Sequence, residues 1–120
     1  MQNNQSYSYY LVAVDEAGYQ SRKSESLSAM PIAFSLENNL LVIDETRDGN
    51  GSSISPDDAM VDAFYDLPLE PFDYVGWDVE SLGMPTLSDL AEYKVVFWHD
   101  DDISMNRIFE AEDILSSYIY

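Results

Sequence analysis

Two groups of acidic residues follow short apolar runs in this chain, and both offer oxygen ligands for a metal ion. Asp44 ends the run 39–44, whereas Asp100 and Asp101 come just after the run 94–98. Carboxylate and amide oxygens suit a hard cation such as Ca²⁺. The sequence therefore predicts a calcium site, with ligands drawn from Asp44, Asp48, Asn50, Asp100 and Asp101.

The loop that follows Asp44 leaves a second interpretation open. Its acidic and Gly-rich sequence departs from the EF-hand pattern, because Thr46 stands at the third position and Ser55 at the twelfth. Acidic side chains also cap helix N-termini and keep loops solvated without binding any metal. Both interpretations of these acids, as cation ligands and as solvating groups, are compatible with the sequence.

The inventory of nucleophiles and bases argues against catalysis by this chain. His99 is its only histidine, and it contains no cysteine. One histidine does not make a zinc site without further nitrogen or sulfur ligands. It could act as a general base beside Asp100, but the sequence has no G-x-S-x-G elbow to supply a serine nucleophile. We therefore expect no catalytic residue and no cofactor other than calcium.

Composition excludes several classes of protein. Five Lys and Arg against 23 Asp and Glu give a net charge of −18, which disfavours nucleic acid as a partner. A hydrophobic content of 46% and an aromatic content of 13% are too high for a disordered acidic tail. No apolar run approaches the ~20 residues of a membrane-spanning helix. The first residues also lack the basic and then apolar pattern of a signal peptide.

From residue 40 onwards, predicted strands and helices alternate. Apolar runs at 39–44, 72–78 and 94–98 predict three strands, and a helical segment follows each of them. Alternation of this kind indicates a parallel sheet with right-handed crossovers. If the strand order is 2-1-3, the carboxyl ends of the first and third strands are neighbours, and ligands bind at that edge. Asp44 and His99 would then lie close together.

The first of these helices carries an apolar and an acidic stripe. We expect it to be capped by Ser55, with Pro56 at its first position. The spacing predicts that its buried side consists of Ala59, Met60, Ala63, Phe64 and Leu67. Asp58, Asp62 and Asp66 recur every four residues and are expected to face solvent.

Two shorter helices are predicted further along the chain. Thr86 is expected to cap a single turn that directs Leu87, Leu90 and Ala91 inward. Ser104 or Asn106 is expected to cap the last helix. Its buried stripe is predicted to comprise Ile108, Ala111, Leu115, Tyr118 and Ile119.

The first 33 residues predict two antiparallel strands. The segment YSYYLVAV alternates with period two, the turn EAG follows, and a Ser-rich segment ends in SLSAMP. This pattern resembles the last two strands of a fibronectin type III domain, over about 25 residues and two of ~7 strands. The resemblance implies that Tyr7 is the corner tyrosine whose hydroxyl bonds to the backbone. A generic antiparallel hairpin is the alternative.

The remainder of the chain resembles another family. LLVIDETRDGNG, the strand FDYVGWD, the turn PTLSDL and the strand YKVVFW are similar to the opening half of the glutamine-amidotransferase-like, flavodoxin-like modules of secreted or surface bacterial proteins. Such modules often follow a fibronectin type III domain. The resemblance carries no amidotransferase chemistry, because the nucleophilic cysteine of those enzymes has no counterpart here.

These observations together predict an α/β chain with an incomplete flavodoxin-like parallel sheet, preceded by a fibronectin type III-like hairpin. Residues 1–33 would end the β domain, 34–39 would be a linker, and 40–120 would begin the α/β domain. The expected function is a non-catalytic spacer, scaffold or binding region of an extracellular or cell-surface bacterial protein. Its expected partners are neighbouring domains of the same parent chain, and the sequence identifies no protein or carbohydrate ligand. Two alternatives are an accessory region of a secreted hydrolase, such as a peptidase, and an enzyme that uses the acids directly.

Overall fold

The computed structural model describes residues 1–101 and 107–119. The chain divides into two compact units, Met1–Ala33 and Phe34–Tyr120. The sites expected to cap the last helix, Ser104 and Asn106, lie outside the described residues. None of the helices in the described part has the length and apolar character needed to cross a bilayer.

The first unit is an antiparallel hairpin held partly by serine side chains. Strands β1 (Tyr7–Tyr9) and β2 (Leu27–Ala29) pair in a register that sets Tyr7 opposite Ala29. Beyond this short ladder, the backbone N–H groups of Leu11 and Ala13 donate to the hydroxyls of Ser24 and Ser21, at 2.9 and 3.0 Å. Because side-chain oxygens replace ladder carbonyls there, the alternating segment forms a shorter strand than its pattern indicates.

The hairpin turn is built on an aspartate and a glycine. Asp15 Oδ1 accepts hydrogen bonds from the backbone N–H groups of Ala17 and Tyr19, both at 2.9 Å. Gly18 has φ of +85°, a backbone conformation that side chains with a Cβ rarely adopt. Near the start of the chain, the Tyr7 hydroxyl accepts a bond from the backbone N–H of Gln2.

The second unit is organised by a three-stranded parallel sheet. Strand β3 (Asn38–Asp44) lies between β4 (Tyr74–Asp78) and β5 (Tyr93–His99) and is parallel to both. The first strand of this unit is therefore the central one, as predicted. Leu41 and Ile43 are fully buried and Val42 is 5% exposed, so β3 is covered on both faces.

Among the described residues, five helical segments accompany the sheet. They are α1 (Asp58–Leu69), α2 (Val79–Leu82), α3 (Leu87–Leu90), a 3₁₀ helix (Arg107–Ala111) and α4 (Glu112–Ile119). On one face of the sheet the core consists of Leu41, Ile43, Val79 and Leu90, with residues of α4 packed against it. Helix α1 lies on the other face, because Tyr65 contacts Phe97 and His99, which alternate along β5 with the core-facing Trp98.

The predicted cap of α3 is confirmed. The Thr86 side chain accepts from the Asp89 backbone N–H, and the Asp89 carboxylate accepts in return from the Thr86 backbone N–H at 2.7 Å. This reciprocal pair satisfies N–H groups that a helix start otherwise leaves without partners. Leu90 and Ala91 are buried as predicted, and Leu87 is half-buried.

The predicted start of α1 is wrong by two residues. Asp57, not Ser55, occupies the N-cap position, and Asp58 is the first helical residue. The carbonyls of Ser55 and Pro56 instead accept bonds from the N–H groups of Asn50 and Gly49, at 3.1 and 2.9 Å. These bonds keep Ser55 and Pro56 in the loop, so the helix begins after them.

The predicted burial of α1 is also wrong. All five residues of the expected apolar stripe are exposed; Met60 is 67% exposed, Phe64 69% and Leu67 76%. The stripe that faces the sheet is displaced by one to two residues and consists of Asp58, Val61, Asp62, Tyr65 and Leu69. Ring contacts of Tyr65 on β5 and a 2.9 Å bond from the Tyr74 hydroxyl to Asp66 hold the helix in this rotation.

The predicted last helix is a 3₁₀ helix followed by α4, and the outcome for its buried stripe is mixed. Ala111 of the 3₁₀ helix is fully buried and Ile108 is half-buried, whereas Leu115 and Tyr118 of α4 are half-buried against the core. Ile119 is 75% exposed, which contradicts its predicted place in the buried stripe. The Tyr118 hydroxyl donates to the Tyr93 carbonyl at 2.8 Å, and this bond sets which side of the last helical turn faces the sheet.

Candidate functional site

The site lies at the carboxyl edge of the parallel sheet, where all three strands end in ionisable residues. Strand register places Asp44 beside Asp78 on one side and beside His99 on the other. Residues in register on neighbouring strands point to the same face of a sheet. The row Asp78–Asp44–His99 therefore projects towards the face that α1 covers.

Helix α1 adds two carboxylates to this row. Asp58 and Asp62 are four residues apart, which places them on the same side of the helix. Carboxylate oxygens from Asp44, Asp58 and Asp62 all lie within 4.8 Å of one another. Three side chains of one charge thus converge from a strand end and from one helix face.

Close packing of these carboxylates shifts their protonation. Burial, followed by the charges of Asp44, Asp62, Asp78 and Asp48, raises the pKa of Asp58 to about 6. Burial, a hydrogen bond with Asp44 and the charge of Asp44 raise the pKa of Asp62 as well. In the described part of the chain, Asp58 Oδ1 is buried without a hydrogen-bond partner. The cluster is therefore short of positive charge and of donors.

His99 stands at the border of the cluster and is almost completely buried. It is 6% exposed, and its Nδ1 lies 3.5 Å from Asp44 Oδ1 and 3.7 Å from Asp101 Oδ2. Neither contact has hydrogen-bond geometry, and no other residue within 1–101 or 107–119 bonds to this nitrogen. The Tyr65 ring stacks on the imidazole of His99, with ring centroids 4.0 Å apart, and this contact restricts the orientation of the imidazole.

An open cavity of about 510 Å³ extends from the cluster along the gap between α1 and β4. Its described lining contains no lysine or arginine. It includes five aspartates, which are Asp44, Asp58, Asp62, Asp66 and Asp78. Low-dielectric walls concentrate the field of such charges, so the cavity attracts cations and repels anions. The cavity therefore favours an occupant that carries positive charge.

Two aspartates on the cavity wall are already occupied by internal hydrogen bonds. Asp66 accepts from the Tyr74 hydroxyl at 2.9 Å, and this bond raises the pKa of Tyr74. Asp78 caps α2 by accepting from the N–H groups of Glu80 and Ser81 and from the Ser81 hydroxyl. Burial alone would raise the pKa of Asp78, but these bonds outweigh it and lower the pKa. Asp44 Oδ1 likewise accepts from the Thr46 backbone N–H at 2.8 Å, so Asp58 Oδ1, which has no partner among the described residues, is the cluster oxygen most available to a cation.

The structure distributes the five predicted metal ligands unevenly. Asp44 belongs to the cluster. Asp101 lies next to His99, with its Oδ2 3.7 Å from His99 Nδ1. Asp100 is half-buried directly after β5. Asp48 is exposed, and its charge acts on Asp58. Asn50 is exposed as well, and its side-chain oxygen accepts from the Ser52 backbone N–H at 3.1 Å, as expected of a turn residue.

Two cluster members, Asp58 and Asp62, were missed by sequence reasoning. Their four-residue spacing was visible, but it predicted a row in solvent. Asp62 is exposed, as predicted, whereas Asp58 is half-buried, which contradicts its predicted place in solvent; both residues line the cavity. A helix that follows a parallel strand begins near the carboxyl edge of the sheet. Two acids in the first two turns of the helix after Asp44 could therefore have predicted that they lie near Asp44.

Comparisons with protein-family models, with curated proteins and with solved structures each gave no match for this chain.

Proposed function

We propose that this chain is a non-catalytic binding region of a larger extracellular bacterial protein, and that its carboxyl-edge cluster binds a divalent cation. In this proposal the first unit is the end of a fibronectin type III-like sandwich. The second unit is the start of a flavodoxin-like module of the glutamine-amidotransferase-like kind. The antiparallel hairpin and the parallel order β4-β3-β5 support this combination.

The observation that carries the proposal is the convergence of Asp44, Asp58 and Asp62 within 4.8 Å. Like charges held this close repel each other unless they are protonated or share a counter-ion. A divalent cation removes the repulsion and satisfies the buried Asp58 Oδ1. No lysine or arginine lines the described cavity, so no basic side chain of these two types supplies the missing positive charge there.

A binding role fits the residues better than a catalytic one. The chain contains no cysteine, and His99, although it lines the cavity, is only 6% exposed and is stacked against Tyr65. A bound cation would also connect β3 to the first two turns of α1, because Asp44 belongs to the strand and the other two aspartates to the helix. The bound cation would thus stabilise the second unit by linking β3 to α1.

Isothermal titration calorimetry of the 120-residue chain with Ca²⁺, Mg²⁺ and Mn²⁺ tests the cation site. We expect saturable binding of one ion and a loss of about tenfold or more in affinity for Asp58→Asn and for Asp62→Asn. Asp73→Asn removes the same charge just before β4, at the amino edge of the sheet, and is the matched control. It should bind as the natural chain does.

Absence of binding heat for all three cations at millimolar concentration would overturn the proposal, provided that circular dichroism shows a folded chain. Equal losses of affinity in Asp73→Asn and Asp58→Asn would also overturn it. In that case the cations would respond to net charge and not to the cluster.

A further inference from the structure

The buried nitrogen of His99 distinguishes this site from a set of carboxylates alone. A side chain that is 6% exposed has almost no access to water, and His99 Nδ1 makes no hydrogen bond within the described residues. Buried polar atoms in folded proteins are nearly always satisfied, so an exception requires an explanation. Here the unpartnered nitrogen faces the oxygen of a cluster member, Asp44.

The distances around this nitrogen fit a shared ion better than a hydrogen bond. His99 Nδ1 lies 3.5 Å from Asp44 Oδ1 and 3.7 Å from Asp101 Oδ2, which is longer than a normal N–H···O bond. Two ligand atoms that each lie about 2.1 Å from one ion, at an angle of about 90–110°, are about 3.0–3.4 Å apart. His99 lies outside the group of three carboxylates whose oxygens are within 4.8 Å of one another, so the carboxylates of Asp58 and Asp62 must move towards His99 Nδ1 when an ion binds.

A nitrogen ligand changes which metal the site prefers. Ca²⁺ takes oxygen ligands, and Mg²⁺ combines carboxylates with water, so neither gains from an imidazole. Carboxylates suit Mn²⁺, and imidazole suits Fe²⁺ and later transition metals. One imidazole and three carboxylates therefore favour a metal of intermediate character.

We propose that His99 Nδ1 joins Asp44, Asp58 and Asp62 as a ligand, and that the site takes a divalent transition metal of the Mn²⁺ or Fe²⁺ type in preference to Ca²⁺. This inference rests on the cation site of the proposed function and replaces the calcium predicted from the sequence. Tyr65 is a positioning residue in it, because its ring stacks on the imidazole and keeps Nδ1 directed at Asp44.

The composition of the chain permits a direct test. His99 is the only histidine and there is no cysteine, so a histidine-derived nitrogen signal at a bound metal comes from this residue. The chain is labelled with ¹⁵N-histidine and loaded with Mn²⁺, and electron spin-echo envelope modulation is recorded. We expect the hyperfine coupling of a directly bound imidazole nitrogen. Calorimetry should show Mn²⁺ binding about 30-fold or more tighter than Ca²⁺.

A substitution provides the second arm. His99→Phe keeps an aromatic ring under Tyr65 and removes the nitrogen. We expect it to weaken Mn²⁺ binding about tenfold or more and to change Ca²⁺ binding by less than about threefold. Tyr65→Phe keeps both the stacked ring and the nitrogen, so its preference for Mn²⁺ should match that of the natural chain.

The outcomes separate this inference from the cation site itself. Binding of Mn²⁺ without ¹⁵N coupling, or Ca²⁺ binding as tight as Mn²⁺ binding, overturns the role of His99 and leaves the carboxylate site standing. Absence of binding for every cation overturns the site. If His99→Phe does not fold, the spin-echo measurement on the natural chain decides the question without it.

Discussion

Tyr65 of α1 stacks on His99 at the end of β5, with ring centroids 4.0 Å apart and ring planes inclined by 28°. The same Tyr65 ring meets the edge of Phe97, 5.6 Å away. These contacts connect the helix to the sheet edge at which the carboxylates collect. They also rotate α1 so that Asp58 and Asp62, and not Phe64, turn towards Asp44.

Removal of the Tyr65 ring should therefore weaken both the fold and the site. Aromatic pairs contribute about 0.5–1.5 kcal/mol each beyond the area that they bury. We expect Tyr65→Ala to lower the free energy of unfolding by about 1–3 kcal/mol and to reduce cation affinity, because the orientation of α1 is lost. Urea denaturation measures the first effect and calorimetry the second. Tyr65→Phe is the control, and equal stability of the two variants would contradict this role of the ring.

Asp58 should make the cation-free protein less stable as pH rises. Its pKa is about 6 in the folded chain against an ordinary 3.8, with burial as the largest cause. Folding therefore favours the protonated form, and this contribution is complete below about pH 4 and lost as pH rises through 6. Asp58→Asn cannot ionise, so we expect its stability relative to the natural chain to increase between pH 4 and pH 7.

Urea denaturation in the presence of a chelator, at pH 4, 5, 6 and 7, measures this difference between the two chains. Asp73→Asn provides the comparison for a simple loss of one negative charge. A difference between Asp58→Asn and the natural chain that stays constant over the whole range would show that Asp58 has an ordinary pKa in the folded protein.

Asp78 should have the opposite dependence on pH. Burial would raise its pKa, but the bonds from Ser81 and Glu80 lower it overall. An ionised Asp78 therefore stabilises the fold above its unfolded pKa of about 3.9, and this contribution is lost as pH falls through the folded value. We expect Asp78→Ala to cost about 0.5–2 kcal/mol at pH 7, as for other N-cap residues, and less at pH 3.

Chemical denaturation at the two pH values measures the effect of Asp78→Ala. Glu80→Ala changes a neighbouring acid of α2 whose backbone N–H, and not its side chain, makes the capping bond. It is the matched control and should cost less than Asp78→Ala at pH 7. A cost of Asp78→Ala that is the same at pH 3 and pH 7 would contradict a charged cap.

The rotation of α1 can be tested with two neighbouring residues. Met60 belongs to the stripe expected from hydrophobicity and is 67% exposed, whereas Val61 is 7% exposed. We expect Met60→Ser to change the free energy of unfolding by less than about 0.5 kcal/mol and Val61→Ala to lower it by about 1–3 kcal/mol. Thermal or urea denaturation gives both values. The reverse order would mean that the helix presents its more apolar side to the sheet.

Several elements follow from local sequence because their causes are local. The run LLVID forms the central strand, since only a strand covered on both faces accommodates such a continuous apolar segment. Thr86 and Asp89 form their capping box from two side chains three residues apart. The alternation of strands and helices predicted a parallel sheet, whereas the order 2-1-3, in which the first strand is central, accompanied the flavodoxin-like resemblance. The two family resemblances remain predictions.

What the sequence alone determined is that strands and helices alternate in a parallel arrangement, and that acids collect at the carboxyl edge with Asp44 among them. Only the tertiary structure decided which acids meet. Asp58 and Asp62 join Asp44 because ring stacking of Tyr65 on His99, 34 positions away in the chain, sets the rotation of α1. Helical periodicity records which residues share a side of a helix, but the side that faces the sheet depends on contacts with distant residues.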